Sequence, residues 1–258
     1  HTDSVQQASE EFDCPVYALR HYVDILRHPG NYHMPCLHHI PIKEVLAKQH
    51  GETMQFHEFK LTFRSFPGQT FYHGALLVES REESPVFFIG DAFSPSGMDD
   101  YCVLNRNLLH KNDGFLFCLE QVKALGNDYW LINEHIPHVF RFSEKELESL
   151  EKGFRTRIDA IQELTVWDDP NYAVDEQWAS MYPYGLSVKP GTVHEFNVTI
   201  TNHSGKRRDY EVDFRLPEGA RLMSVTKATK VPTGAFTGVR ALIELPSKPG
   251  HYLVRADI

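Results

Sequence analysis

The residue best placed to carry chemistry in this sequence is an aspartate that follows a short apolar run. The run from Pro85 to Ile89 is rich in Val, Phe and Ile and is bounded by Pro and Gly, which predicts a buried strand. Asp91 comes directly after Gly90, at the carboxyl end of that strand, where open sheets place their ligands. Because burying an unpaired carboxylate is costly, Asp91 needs a partner, and a metal ion is the simplest one.

Histidines near other predicted strand ends supply candidate co-ligands for such a metal. His73 follows the turn at Pro67-Gly68, and His135 follows a predicted buried strand over residues 129–133. His1 precedes a predicted helix. Zinc held by His and Asp side chains from separate strand ends is a common arrangement in hydrolytic enzymes. The sequence therefore predicts His1, His73, Asp91 and His135 as metal ligands, with Asp91 also acting in catalysis.

Two alternatives stay open around this set. His138 lies three residues after His135 and competes with it for the ligand role. The loop after Asp91 carries Tyr101, Asn105 and Arg106, which we interpret as substrate-binding residues because a guanidinium can grip an anionic group with two hydrogen bonds. A solvated loop that folds over the start of a helix accounts for the same three residues equally well.

Composition limits the classes of function that this chain can serve. Its 258 residues suffice for one large domain or two ordinary ones, and 41% apolar with 24% charged residues is typical of a folded globular chain. The net charge of −9 argues against a nucleic-acid partner, because there is no basic stripe to neutralise phosphates. No run approaches the roughly 18 apolar residues of a membrane-spanning helix. The four cysteines lie far apart and form no CxxC zinc pair.

Hydrophobic spacing in the first 165 residues predicts an α/β region. Residues 31–55 have no clear period and are predicted to be irregular. Ser143 and Glu146 have the spacing of a capping box at the start of a long helix. The predicted helices cover residues 2–12, 19–28, 113–125 and the stretch from Ser143, and the predicted strands cover 15–18, 59–63, 74–79, 85–89 and 129–133.

The pattern changes after residue 165. Residues 166–181 mix aromatic and acidic side chains without a period, and we interpret them as a linker or strap. From residue 182 to 258, short alternating stretches separated by Pro/Gly turns predict a β-sandwich with no helix. The strap and its edge carry four large aromatic residues, which we expect to pack against a domain: Trp167, Tyr172, Trp178 and Tyr182.

The order of motifs in residues 1–165 resembles the metallo-β-lactamase superfamily. That family has a His-x-His-x-Asp-His motif followed by a helix, and the segment His1 to Val5, with the helix and strand after it, looks like the sequel to this motif. Pro67-Gly68 is similar to the family's third motif, Gly90-Asp91 to its bridging-aspartate motif, and His135 to its final histidine. Residues 182–258 resemble bacterial Ig-like domains that are appended to hydrolases.

The resemblance implies a fold class and a metal content. It implies an αββα metallo-β-lactamase-like sandwich, truncated at its N-terminus, followed by an all-β Ig-like sandwich. Two zinc ions are implied, with His1, Asp91 and His135 at the second and with Asp91 bridging to the first. Gln69 stands where the family usually has a histidine, and we therefore assign that ligand role to His73. The zinc ions would activate water to cleave an ester, lactone, amide or phosphoester in a small-molecule substrate.

Two further expectations follow from the resemblance. We expect the missing part of the sandwich to be supplied by upstream sequence, by a second chain or by homo-oligomerisation. The Ig-like region favours a periplasmic or secreted location in a bacterium. The alternative to a hydrolase is a catalytically inactive metallo-β-lactamase-like module, in which the Ig-like domain binds a partner or a glycan.

Overall fold

The residues described by the computed structural model form two compact units that interleave along the chain. The described ranges are 4–32, 40–70, 72–98, 114–164, 172, 175 and 177–258. The first unit, here called the α/β unit, takes its described residues from 4–27 and 42–175. The second, here called the β unit, takes its described residues from 28–32, 40–41 and 177–258.

The α/β unit contains helices and two sheets. In chain order its elements are α1 (Val5–Phe12), β1 (Val16–Leu19), α2 (Arg20–Arg27), β2 (Val45–Lys48), β3 (Thr53–Phe56), β4 (Phe59–Ser65), β5 (Gly74–Glu79), β6 (Val86–Phe88), α3 (Phe115–Lys123), β7 (Trp130–Ile132), β8 (Val139–Phe140) and α4 (Glu144–Leu164). None of the helices in the described ranges combines the length and the apolar character needed to cross a bilayer.

The larger sheet brings two strand ends with polar residues side by side. Its six strands follow the order β3-β4-β5-β6-β7-β8. Strands β6 and β7 are parallel, with Phe87 opposite Leu131, whereas the other neighbours in this sheet are antiparallel. Because the carboxyl ends of parallel strands meet at one edge, the loops that follow β6 and β7 must be neighbours. These loops carry Asp91 and His135.

An aromatic core holds this sheet against helices α3 and α4. Phe87, Ile89 and Leu131 are almost fully buried, as the apolar run before Asp91 predicts. Phe66 packs edge-on against Phe87 with ring centroids 5.3 Å apart, a favourable geometry for two aromatic rings. The same core includes six more buried rings, those of Phe93, Phe115, Tyr129, Phe140, Phe142 and Phe154.

Helix α4 begins with the predicted capping box, which the structure confirms. The Ser143 backbone N–H donates to Glu146 Oε2 over 2.8 Å, and the Glu146 N–H donates to Ser143 Oγ over 3.4 Å. The hydrogen bond from the Ser143 side chain, followed by that from its backbone, lowers the pKa of Glu146. The predicted start of this helix is therefore correct.

The second sheet corrects one expectation from the sequence. The sequence predicts residues 31–55 to be irregular, but they contain β2 and all but the last residue of β3. Strand β2 pairs in parallel with β1, with Val16 opposite Val45, and Val45 is buried beside helix α2. Strand β2 has only four residues, which is too short for a periodic pattern to be recognised, and its partner strand lies about thirty residues earlier in the sequence.

The β unit contains strands and a short 3-10 helix at Pro29–Asn31. Within residues 177–258 there is no α-helix. The strands are β9 (Ala179–Tyr182), β10 (Val193–Thr201), β11 (Arg208–Tyr210), β12 (Asp213–Arg215), β13 (Arg221–Val225), β14 (Ala228–Val231), β15 (Phe236–Glu244) and β16 (Arg255–Asp257). A four-stranded sheet has the order β13-β15-β10-β9, and β11 pairs with β14 and β12 with β16.

Alternating side chains of the two longest strands make the core of the β unit. Ile200 in β10 and Ile243 in β15 are fully buried, and their strand neighbours are less so. Strand β9 begins within the segment predicted as a strap and ends one residue beyond it, and Trp178 next to it packs on this core. The Tyr184 N–H donates to the Asn31 carbonyl over 2.7 Å, which explains why the short 3-10 helix belongs to this unit.

We predict that Leu131→Ala lowers the free energy of unfolding by about 2–5 kcal/mol, because it removes buried methyl groups and leaves a cavity between the sheet and the helices. Leu164→Ala is the matched control, since Leu164 is 84% exposed. Urea denaturation of both variants measures the difference. Equal stability of the two variants would contradict the position of Leu131 in the core.

Candidate metal centre

Asp91 lies on a sharp turn at the end of β6. The Ile89 N–H donates to the Ile132 carbonyl over 2.9 Å, which extends the pairing with β7 by one residue. Gly90 then adopts a left-handed conformation with φ of +52°, which lets the chain turn sharply after the strand. Asp91 is only 6% exposed. A carboxylate this buried needs a compensating partner.

The His135 imidazole lies beside the Asp91 carboxylate. Its Nε2 lies 3.2 Å from Asp91 Oδ1, within the range of an ion pair. The angle between these two groups does not fit a hydrogen bond. Asp91 Oδ1 is buried, and it accepts no hydrogen bond from any residue in the described ranges. The His135 side chain is 59% exposed, whereas that of Asp91 is 7% exposed. The pair therefore consists of a buried oxygen and a solvent-facing imidazole.

The His73 ring packs against the backbone of the same turn at Gly90. A Cβ atom on residue 90 would overlap His73 Nε2 and would lie 2.9 Å from its Cε1, so only glycine leaves room for the ring. The backbone of His73 is held by its own hairpin, because its carbonyl accepts from the Phe66 N–H over 2.9 Å and its N–H donates to Thr70 over 3.2 Å. The position of the ring is thus set by two loops.

Burial determines the charge state of His73. Loss of hydration lowers the pKa of His73 from its ordinary value, and the nearby Asp91 carboxylate opposes this shift without cancelling it. A neutral imidazole at pH 7 keeps a lone pair for a metal ion. The pKa of His73 is lower in the folded chain than in the unfolded chain. As the pH falls below about 6.5, the unfolded chain therefore binds a proton at His73 before the folded chain does, and the free energy of unfolding decreases.

The turn at Pro67-Gly68 touches the Asp91 loop directly. A Cβ atom on residue 68 would lie 2.6 Å from the Cβ of Ala92 and 3.0 Å from its Cα. Only glycine permits the two loops to approach so closely. The Pro-Gly pair that the sequence marks as a motif therefore acts through its backbone, by fixing the loop that carries Asp91.

Asn133 connects the two loops that carry Asp91 and His135. It is 4% exposed, its Nδ2 donates to the Phe93 carbonyl over 2.8 Å, and its Oδ1 accepts from the His135 N–H over 2.6 Å. Sequence reasoning missed this residue. The signal was present, because an Asn two residues before a loop residue is typical of an Asx turn.

These contacts fit part of a metal site. The orphaned Asp91 oxygen, the His135 Nε2 beside it and the neutral His73 ring have the donor chemistry that zinc prefers. Within the described part of the chain, however, no three His, Cys, Asp or Glu side chains are gathered closely enough to hold an ion together. His73, Asp91 and His135 therefore meet at one sheet edge without forming a closed ligand set.

Several predicted site residues lie outside the described residues. These are the proposed ligand His1 and the proposed substrate-binding residues Tyr101, Asn105 and Arg106. His138 is exposed, and its carbonyl accepts from the Asn133 N–H over 2.9 Å. Its backbone therefore closes the loop in which His135 lies.

Comparisons with known proteins give fold likenesses only. No family model matches the chain, and no curated protein matches it. Among solved structures, a β-lactamase from Chitinophaga pinensis is similar at 14% identity and a TM-score of 0.42, over 62% of this chain and 69% of that one. The metallo-β-lactamase GOB-18 from Elizabethkingia meningoseptica is similar at 16% identity and a TM-score of 0.43, over 62% of this chain and 68% of that one.

A third match is a metallo-β-lactamase with a HARLDQ motif from Cronobacter sakazakii, at 11% identity and a TM-score of 0.44, over 64% of this chain and 69% of that one. Identities this low, with TM-scores below 0.5, say nothing about metal content or substrate.

We predict that Gly90→Ala destabilises the protein more than Gly51→Ala does. Both glycines have positive φ, +52° and +79°, so each alanine meets the left-handed strain of about 1–2 kcal/mol. A Cβ on residue 90 would also collide with His73, whereas no atom of a described residue lies within 4 Å of a Cβ on residue 51. Urea denaturation compares the two variants, and an equal loss in both would show that His73 does not pack on Gly90.

Proposed function

We propose that this protein is a metal-dependent hydrolase. The observation that carries the proposal is a buried carboxylate oxygen of Asp91 that accepts no hydrogen bond within the described ranges, with the His135 imidazole 3.2 Å away. Leaving such an oxygen without a hydrogen bond lowers the stability of the fold. An unsatisfied buried acceptor costs about 1–3 kcal/mol, and a charged one costs more. A cation at this position would offset that loss.

The residues of the chain have distinct roles in this proposal. Asp91 would hold a cation through its buried oxygen, and His135 would hold it from the solvent side. His73 would act as a third ligand after a small movement of its ring around Gly90. When bound, a zinc ion would polarise a carbonyl or phosphoryl oxygen and lower the pKa of a water molecule.

The finer assignments belong to the same proposal. We propose two zinc ions, with His1 completing the site at Asp91 and His135. Arg106, Asn105 and Tyr101 would contact a small-molecule substrate with an ester, lactone, amide or phosphoester bond. The αββα arrangement is proposed for the α/β unit on the same basis, namely the order of the sequence motifs.

We predict that Asp91→Asn and His135→Asn each lower zinc binding and hydrolysis by at least tenfold, because each removes a donor from the site. Zinc content after dialysis is measured by atomic emission. Hydrolysis is measured on a nitrophenyl ester, a lactone, a β-lactam and a bis-nitrophenyl phosphate, with and without added zinc.

Matched controls separate the site from its surroundings. Asp159→Asn removes an exposed carboxylate from α4, and His138→Asn removes the neighbouring exposed histidine. Both controls should bind zinc like the original protein. A chain that binds no zinc and cleaves none of the four substrates would rule out the proposal, and zinc loss in His138→Asn alone would move the ligand from residue 135 to residue 138.

A cavity in the β unit favours a second candidate function, a binding module. We propose that the β unit is an Ig-like sandwich and that its cavity of about 520 Å³ binds an acidic glycan. The rim presents Tyr184 and Tyr252, which are 62% and 44% exposed. Lys189 and Lys248 line the same cavity, as does His251. Among the residues that the structure describes, no Asp or Glu lines it, although the chain has a net charge of −9. This local excess of positive charge favours an anionic ligand.

We predict that a uronic-acid tetrasaccharide binds the protein and that a neutral tetrasaccharide does not. Lys189→Gln combined with Lys248→Gln should weaken binding at least fivefold, and added salt should weaken binding to the unsubstituted chain. Lys227→Gln, a substitution in the same unit outside the cavity, is the control. Isothermal titration calorimetry measures all three chains. Equal binding of neutral and acidic sugars would argue against the basic cavity as the recognition site.

A further inference from the structure

The amide side chain of Asn133 lies between the two loops that carry the candidate metal ligands. It is 4% exposed, and both ends of the amide are used. Nδ2 donates to the carbonyl of Phe93, two residues after Asp91, over 2.8 Å. Oδ1 accepts from the N–H of His135 over 2.6 Å. One planar group therefore fixes a loop on each side of it.

We infer that Asn133 is a positioning residue that sets the distance between Asp91 and His135, an inference that rests on the proposed metal centre. The amide is rigid, so the Phe93 carbonyl and the His135 N–H can satisfy it only at one separation of the two loops. Residues that orient ligands from behind contribute strongly to metal affinity, and losing one typically costs 10–100-fold.

The backbone at Asn133 makes this geometry still more fixed. Its N–H donates to the His138 carbonyl over 2.9 Å and closes the loop that holds His135. The Asx turn from Oδ1 then fixes the start of the same loop. Among the bonds that Asn133 makes within the described residues, the Nδ2 bond is the one that reaches the other loop, so Asn133 couples the two loops through it.

This division allows each bond to be tested separately. Asn133→Asp keeps an oxygen for the His135 N–H but replaces the donor to Phe93 with an acceptor, which breaks the link between the loops. Asn133→Ala removes both bonds. We expect cobalt(II), used as a spectroscopic probe of the zinc site, to bind Asn133→Asp 10–100-fold more weakly than the original chain. Asn133→Ala should bind at least as weakly.

The chain contains a matched control for a purely structural role. Asn202 in the β unit is fully buried, its Oδ1 accepts from the Ser204 N–H over 3.0 Å, and its Nδ2 donates to the Val231 carbonyl over 2.9 Å. This is the same combination of an Asx turn and a cross-strand donor. Asn202→Asp should destabilise its unit without changing the affinity for cobalt.

Amide hydrogen exchange in the metal-free protein gives a readout that does not depend on metal. Asn133→Asp should speed exchange at Ala92 and Ser94, which flank Phe93, and leave His135 nearly unchanged. Asn133→Ala should speed exchange at His135 as well. If the original chain binds no cobalt, the proposed metal centre fails, and exchange still decides whether Asn133 couples the loops.

Two results would overturn the inference. One is wild-type cobalt affinity in Asn133→Ala together with unchanged exchange at Ala92 and His135. The other is an equal loss of cobalt affinity in Asn133→Asp and Asn202→Asp, which would reduce the effect to general destabilisation. A selective loss in Asn133→Asp, with exchange accelerated only at the Phe93 loop, supports the positioning role.

Discussion

The parallel pairing of β6 with β7 is the constraint on which the rest of the site depends. The bond from the Ile89 N–H to the Ile132 carbonyl, 2.9 Å long, holds the last paired residues of both strands at the same height. Beyond it, one chain turns at Gly90 and the other at Asn133. Asp91 and His135 therefore meet because two strands end together, although 44 residues separate them in sequence. A register shift of one residue would turn one of them to the opposite face of the sheet.

Packing around this edge leaves little freedom in three loops. Gly68 lies against Ala92, Gly90 lies under the His73 ring, and Asn133 is bonded to Phe93. Each contact works only with the residue type that is present, because a Cβ atom would clash at either glycine and a shorter side chain would not span the distance at Asn133. The aromatic core beneath, with Phe66 and Phe93 fully or almost fully buried, keeps the loops from relaxing away from these contacts.

The sequence predicted the parts of this arrangement that depend on local patterns. The buried strand before Asp91, the capping box at Ser143 and the absence of helix after residue 182 all follow from spacing and turn residues. Strand β2 was not predictable, because its pairing with β1 is a long-range choice of partner. The Asx turn at Asn133 had a local signal, but the bond from Asn133 to Phe93 and the packing of His73 on Gly90 were not predictable, because both depend on which loop lies opposite.

Because Asp91 and His135 differ in exposure, loss of one side chain would affect the fold differently from loss of the other. His135 is 59% exposed, so water can hydrate its ring when no partner is present. The Asp91 side chain is only 7% exposed, so water cannot hydrate it in the same way, and its charge must be balanced inside the protein. Loss of the imidazole would leave a buried carboxylate oxygen alone, whereas loss of the carboxylate would leave only a solvated histidine. Within the described residues, the unsatisfied acceptor at this edge of the sheet therefore belongs to Asp91.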